Sequence, residues 1–151
     1  MRTLAIDLGS RRVGLALSDE GGRLATPFDV IEVSSPQHAI ERVLQVIARE
    51  GVARIVIGLP LNMDESLGPA AQKTIEWGKQ LAGKSCKPVL FVDERLSSFQ
   101  AEQQLIDRKR GGERITRKGK KQRLDALAAA GFLQAFLDGK LPPLGGLPGM
   151  S

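Results

Sequence analysis

Residues 1–20 read MRTLAIDLGSRRVGLALSDE, and the fold turns on how this stretch is understood. Thr3–Asp7 and Arg12–Ser18 are apolar runs on either side of Gly9-Ser10, which reads as two strands joined in a hairpin. Asp7 closes the first run, just before the glycine turn and the pair Arg11-Arg12. An unpaired carboxylate at the end of a core strand costs several kcal/mol unless a metal or another partner compensates it. Asp7 is therefore either a structural turn residue or a ligand.

Working outward, Arg23–Val33 supplies a third strand after Gly21-Gly22. Ser35-Pro36 has the form of an N-cap followed by proline at the first helical position. Ile40, Val43, Leu44 and Ile47 follow at helical spacing, and Gly51 stops the helix. Arg54–Leu59 is a short apolar run of the fully buried kind, closed by Pro60. Pro69–Gly83 reads as a helix with Ala71, Ile75, Gly78 and Leu81 as its inward stripe, and Trp77 as packing. Pro88–Val92 is another buried strand, and Ser97 with Gln100 fits a capping box opening a helix to about Arg108. Leu124–Leu137 makes the last helix. Residues 140–151 form a tail: from Leu141 it holds three of the eight prolines and three glycines, and it is expected to be disordered. A hairpin meander followed by strand–helix alternation argues for an α/β fold. Its mixed sheet is covered by helices, with sites at the C-terminal strand ends.

With 151 residues the chain is expected to form one domain with a real core. A single cysteine, Cys86, excludes an internal disulfide and suits a reducing compartment. There is no signal-peptide pattern and no apolar run of ~20 residues, so the expectation is a cytoplasmic protein with no membrane contact. Charge is unevenly placed. Arg108 to Arg123 contains nine basic residues against Glu113, a local charge of +8 in a chain of net charge +5, which leaves −3 for the rest. A basic arm on a slightly acidic body points to a polyanion, though a solvated charged loop is the plain alternative. Gly111, Gly112 and Gly119 interleave the charges and suggest an arm that is mobile when unbound. It has no aromatic residue, so it is expected to grip phosphates rather than stack on bases.

Three acids stand at strand or helix ends: Asp7, Glu94 in FVDERLSS, and Asp125 in RLDALAAAGF, placed in the first turn of the last helix. Ala128 and Ala129 lie on the Asp125 face and would let that helix approach the sheet. Gathered together, three carboxylates repel one another unless divalent cations share them, as in a two-metal phosphodiesterase. Each also has a structural reading: Asp7 as a turn former, Glu94 as an ion-pair partner of Arg95, Asp125 as a helix-dipole residue. Asp93 alternates to the other side of its strand, and Asp19 caps the Glu20-Gly21-Gly22 turn.

The motifs IDLGSRRVGLALSD, IVIGLPLNMD, VDERLSS and LDALAAAGFL, in this order, resemble the YqgF family over roughly residues 3–138. That family comprises RNase H-like nucleases described as Holliday-junction resolvases and as pre-16S ribosomal RNA nucleases. The resemblance implies an RNase H-like five-stranded mixed sheet with helices on both faces, filling residues 1–139. It also implies that Asp7, Glu94 and Asp125 are the catalytic acids and bind Mg²⁺ or Mn²⁺. Arg11, Arg12, Arg95, Arg114, Arg117, Lys118, Lys120, Lys121 and Arg123 would then bind the nucleic acid, in a monomer or homodimer. Asp64-Glu65-Ser66 departs from the family's usual glycine and hydroxyl residue after Asn-Met-Asp. Two rivals remain: a noncatalytic nucleic-acid-binding protein, and an actin-like kinase or ATPase, whose phosphate-binding hairpin Asp7-Leu8-Gly9-Ser10 resembles. The kinase would need a second domain.

Overall fold

The computed structural model describes residues 1–62, 64, 66–94 and 117–144, without the side chains of 117–124. The strands are β1 (Thr3–Leu8), β2 (Arg12–Ser18), β3 (Ala25–Glu32), β4 (Arg54–Leu59) and β5 (Val89–Asp93). The helices are α1 (Pro36–Glu50), α2 (Pro69–Ser85) and α3 (Arg117–Leu137). The sheet order is β3-β2-β1-β4-β5. β1, β2 and β3 form an antiparallel meander, while β4 and β5 run parallel to β1. The five-stranded mixed sheet expected from the sequence is present.

The meander depends on a short turn. The Gly9 amide donates to the Arg12 carbonyl at 2.9 Å, and a Cβ at Gly9 would lie 2.6 Å from that oxygen. Only glycine leaves room for so tight a return. α1 starts and stops as its sequence signals predict. Ser35 accepts from the His38 amide, Pro36 opens the first turn, and Gly51 ends the helix in the left-handed conformation.

Strand alternation sorts the sheet into two faces. Leu4, Ile6, Val13, Leu15, Ile55, Ile57 and Phe91 pack with α1 and α2 in one apolar cluster. Ala5, Ala16, Val56 and Val92 pack with Ala129, Phe132 and Leu133 of α3 in the other. Helices therefore cover both faces.

Two expectations change. α3 begins at Arg117 rather than Leu124, so Asp125 lies in its third turn, not its first. Lys, Arg and Gln are good helix formers, and Gly119 alone does not stop them. The tail also starts in contact with the body. Gly139 turns the chain in the left-handed conformation, and the Lys140 amide closes back on the Ala135 carbonyl at 2.9 Å. Leu141 is buried in the α3 cluster, and the Leu144 amide donates to the Phe91 carbonyl at 2.7 Å. Proline and glycine content pointed to disorder, whereas two leucines anchor this part of the tail. The helix expected over 97–108 lies outside the described residues.

Candidate active site

Asp7 follows Ala5 by two residues, and Glu94 follows Val92 by two, so alternation carries both carboxylates to the α3 face. β4 runs between their strands. Its residue at that level is Gly58, paired in register with Val92. A Cβ on Gly58 would lie 2.8 Å from the Glu94 Cβ and 2.9 Å from its Oε2. The missing side chain is the space through which Glu94 crosses β4 to hydrogen-bond Asp7.

A second glycine positions the third acid. Gly14 pairs with Asp7 across the hairpin. A Cβ there would lie 2.2 Å from the Asp125 carbonyl oxygen, so the backbone of α3 rests directly on β2 at this residue. Ala128 and Ala129 are buried on the same helix, as their position relative to Asp125 suggested. The Asp125 Oδ2 lies 3.5 Å from the Arg12 Nε. Both side chains are partly exposed, so the pair orients Asp125 more than it stabilises the fold.

Electrostatics tie the acids together. Burial, then the Asp7 charge and its hydrogen bond, pushes Glu94 from 4.5 up to about 9. Burial also lifts Asp7 from 3.8 to about 6, against the opposing effect of the Glu94 hydrogen bond, and the Asp125 charge adds to the rise. At neutral pH the two therefore share one proton, with Glu94 donating to an ionised Asp7. Asp93 falls on the opposite side by alternation, and its charge contributes to raising Glu94. Asp19 caps its turn as expected, accepting from the Arg23 and Leu24 amides.

A cleft of about 900 Å³ has Asp125 in its wall, together with the Gly9-to-Arg12 turn, Val33 and Ser34 among others. Arg11 and Arg12 thus line the same cleft as Asp125. The Arg11 carbonyl is held by the Val33 amide at 2.9 Å. Arg117, Lys118, Lys120, Lys121 and Arg123 occupy the two turns of α3 before Asp125; their side chains lie outside the described residues, as do Arg95 and Arg114 entirely. Among the described residues, no group of three or more His, Cys, Asp or Glu converges as a ready-made metal cluster. The site is a proton-sharing pair with a third carboxylate held toward Arg12. The apolar runs mark Gly14 and Gly58 only as strand residues, although a glycine inside a strand is itself a sign of close approach.

The sequence profile of RuvX, the Holliday junction resolvase family, matches residues 1–139. The chain belongs to the RuvX family, also called YqgF. A protein of Acidiphilium cryptum named "Putative pre-16S rRNA nuclease" is 41% identical over 137 residues, 91% of this chain and 84% of that one. A protein of Pelotomaculum thermopropionicum with the same name is 39% identical over 144 residues, covering 95% and 90%. Among solved structures, Thermus thermophilus RuvC in complex with a Holliday junction substrate superposes with a TM-score of 0.57 at 20% identity, covering 95% of this chain and 99% of that one. Fowlpox virus resolvase, solved with Holliday junction DNA, gives a TM-score of 0.54 at 12% identity, covering 92% and 98%. The RuvX chain therefore has the resolvase-type, RNase H-like fold and belongs to a family of nucleases.

Proposed function

We propose that this RuvX protein is a cytoplasmic endonuclease that hydrolyses phosphodiester bonds in the 16S ribosomal RNA precursor, with Asp7, Glu94 and Asp125 as its catalytic acids. The observation that carries this reading is the Asp7–Glu94 pair, two half-buried, hydrogen-bonded carboxylates, with Asp7 two residues before the turn that lines a cleft shared by Arg11, Arg12 and Asp125. Carboxylates perturbed by burial and by a like-charged neighbour gather at functional sites more than at structural ones. The names of the relatives supply the substrate.

The donor set is all carboxylate oxygen, which suits Mg²⁺ or Mn²⁺. Asp7 and Glu94 would hold such ions, with Asp125 completing the set once its carboxylate turns from Arg12. Bound there, a pair of ions would activate a water and stabilise the leaving oxygen. The chain's own residues do the rest. Glu94 gives up its proton as the site fills, so occupancy strengthens with rising pH. Arg12, released from Asp125, and Arg11 hold the phosphates flanking the scissile bond. The basic first turns of α3 guide the strand toward Asp125 by charge alone.

The family description favours a second reading, cleavage of branched DNA. Symmetric resolution of a four-way junction needs two copies of the site, hence a homodimer. One experiment addresses both. Purified protein with Mg²⁺ or Mn²⁺ is offered precursor 16S ends and a four-way junction, and Asp7→Asn is run beside wild type. Precursor cut by wild type and not by the variant supports the proposal. Junction cut in preference to precursor transfers it to the second reading, and binding without any cutting would leave a noncatalytic protein.

A further inference from the structure

Arg11, Arg12 and the basic turns of α3 grip the substrate by its phosphates alone. The basic segment has no aromatic residue, and the chain has no tyrosine and a single tryptophan, Trp77. Trp77 lies on the α1/α2 side of the sheet, where an apolar cavity of about 610 Å³ opens between the first turns of α1 and α2. Its walls include Leu8, Pro36, Ala39, Pro60 and Trp77. We propose that this cavity receives one nucleobase of the substrate strand, unstacked from its neighbours beside the cleavage site. The inference rests on the nuclease reading above and adds to it a base-specific contact.

Three observations support it. The first is continuity: Gly9, Ser10 and Val33 line both this cavity and the cleft that contains Arg11, Arg12 and Asp125. A strand lying in the cleft therefore passes the cavity mouth within the width of one turn. The second is chemistry. The Trp77 Nε1 donates to the Pro36 carbonyl at 3.0 Å, the Thr74 hydroxyl donates to the Ala70 carbonyl at 2.9 Å, and Ser35 accepts from the His38 amide. With these groups committed inside the protein, the wall offers mainly carbon surface, which suits the flat face of a base. A cavity of this size, mostly apolar with a few polar groups, is typical of sites for small planar ligands. The third is a set of open donors. α2 begins at Gly68, which gives no side-chain cap. The Gly68 carbonyl takes up the Gln72 amide at 3.1 Å, which leaves the Ala70 and Ala71 amides without an intrahelical acceptor, and Ala70 lines the cavity. They can donate to a base carbonyl or ring nitrogen. The exposed Lys73, one turn on at the same rim, can meet the phosphate attached to that base.

The test uses the full chain carrying Asp7→Asn, so that bound strand is not cut. Single-stranded RNA from a 16S precursor end carries 2-aminopurine at one position at a time, because that base brightens when it leaves its stack. One position is expected to brighten several-fold on binding while its neighbours change little. Ala70→Phe, which blocks the mouth from an exposed position, is expected to remove the brightening and weaken binding about tenfold, the scale of one lost base contact. Ala70→Ser should keep both. An abasic site at the bright position should weaken wild-type binding similarly and add nothing to Ala70→Phe, the signature of a shared contact. If Ala70→Phe folds poorly, the smaller Ala70→Leu narrows the same mouth from the same exposed position. An even 2-aminopurine profile, unchanged binding by a well-folded blocked variant, or additive losses would overturn the pocket. So would AMP or CMP raising the melting temperature with no position-specific signal from the strand, which would assign the cavity to free nucleotides. A protein without Asp7→Asn that cuts RNA, together with a flat profile, overturns the pocket alone; one that neither binds nor cuts overturns the nuclease reading with it.

Discussion

On the α1/α2 face the sheet presents Leu4, Ile6, Val13, Leu15, Ile55 and Ile57, all fully buried. On the α3 face the residues between them are Ala5, Asp7, Gly14, Ala16, Val56 and Gly58. The first face buries long aliphatic side chains, each contributing on the order of 1.5–3 kcal/mol by removal from water. The second gives up that area. In exchange a helix backbone lies directly on β2, and a glutamate crosses β4. One sheet thus divides its work: bulk on one side stabilises the fold, and missing bulk on the other brings carboxylates together.

The largest expected effect strikes the α3 face at its acids. Asp7→Asn or Glu94→Gln should lower metal-dependent cleavage by about 10⁴-fold or more, and the double variant should be little worse, because the residues act as a unit. The melting temperature of the metal-free protein should hold or rise, since a crowded charge is removed. Single variants that retained near wild-type cleavage would dissolve the assigned site.

Next come the glycines. Gly14→Ala puts a methyl group 2.2 Å from the Asp125 carbonyl, and Gly58→Ala puts one 2.8 Å from both Glu94 and Phe132. At Gly14 the contact is helix backbone, which cannot yield cheaply, and at Gly58 it is the side chains of Glu94 and Phe132, so α3 or those side chains must move. A shift of about 1 Å at the site is expected to cost roughly 10²-fold in turnover, with about 1–3 kcal/mol of overpacking. The contrasting substitution is Leu15→Ala on the other face. It should cost about 2–5 kcal/mol of stability while the folded fraction cuts at its former rate. Denaturant titration beside kcat at saturating substrate separates the cases. Were Leu15→Ala to lose as much turnover as Gly14→Ala, the two faces would not be functionally distinct.

The α1/α2 face was legible in the sequence and the α3 face only in part, for a physical reason. β2 and β4 occupy the spans their apolar runs predict, and α1 uses the caps that Ser35, Pro36 and Gly51 announce. Burial of large residues leaves a pattern of period 2 or 3.6. Close approach leaves only an absence of bulk, so Gly14 and Gly58 look like weak points in good strands until a third element is placed over them. The early start of α3 was hidden for a related reason: a charged run has no apolar stripe, and the turns before Asp125 carry the charge that resembles a loop. Asp7 was legible as an anomaly, and its partner Glu94 could be paired with it only through strand order.

The smallest expected effect is the pH dependence of the metal-free protein, and it reads the α3 face directly. Asp7 is raised to about 6 and Glu94 to about 9, from ordinary values of 3.8 and 4.5. Both bind protons more tightly in the folded chain than in the unfolded one. Their contribution to stability is therefore complete below about pH 4 and is lost as pH rises through 6 and on to 9. The slope cannot exceed about 1.4 kcal/mol per pH unit for each proton exchanged, so the change is gradual. Melting temperatures measured in chelator between pH 4 and pH 9 should fall across this window. Asp7→Asn should flatten the fall, because it removes one titrating group and the charge that helps to raise Glu94. Adding Mn²⁺ should oppose the trend, since the deprotonated carboxylates bind the ion and stabilise the folded state by mass action. Leu15→Ala, at a lower melting temperature throughout, should keep the wild-type slope. A wild-type curve that stayed level or climbed in chelator would mean that Asp7 and Glu94 do not share a buried proton, and the acids would then be ordinary surface carboxylates on a face shaped for some other reason.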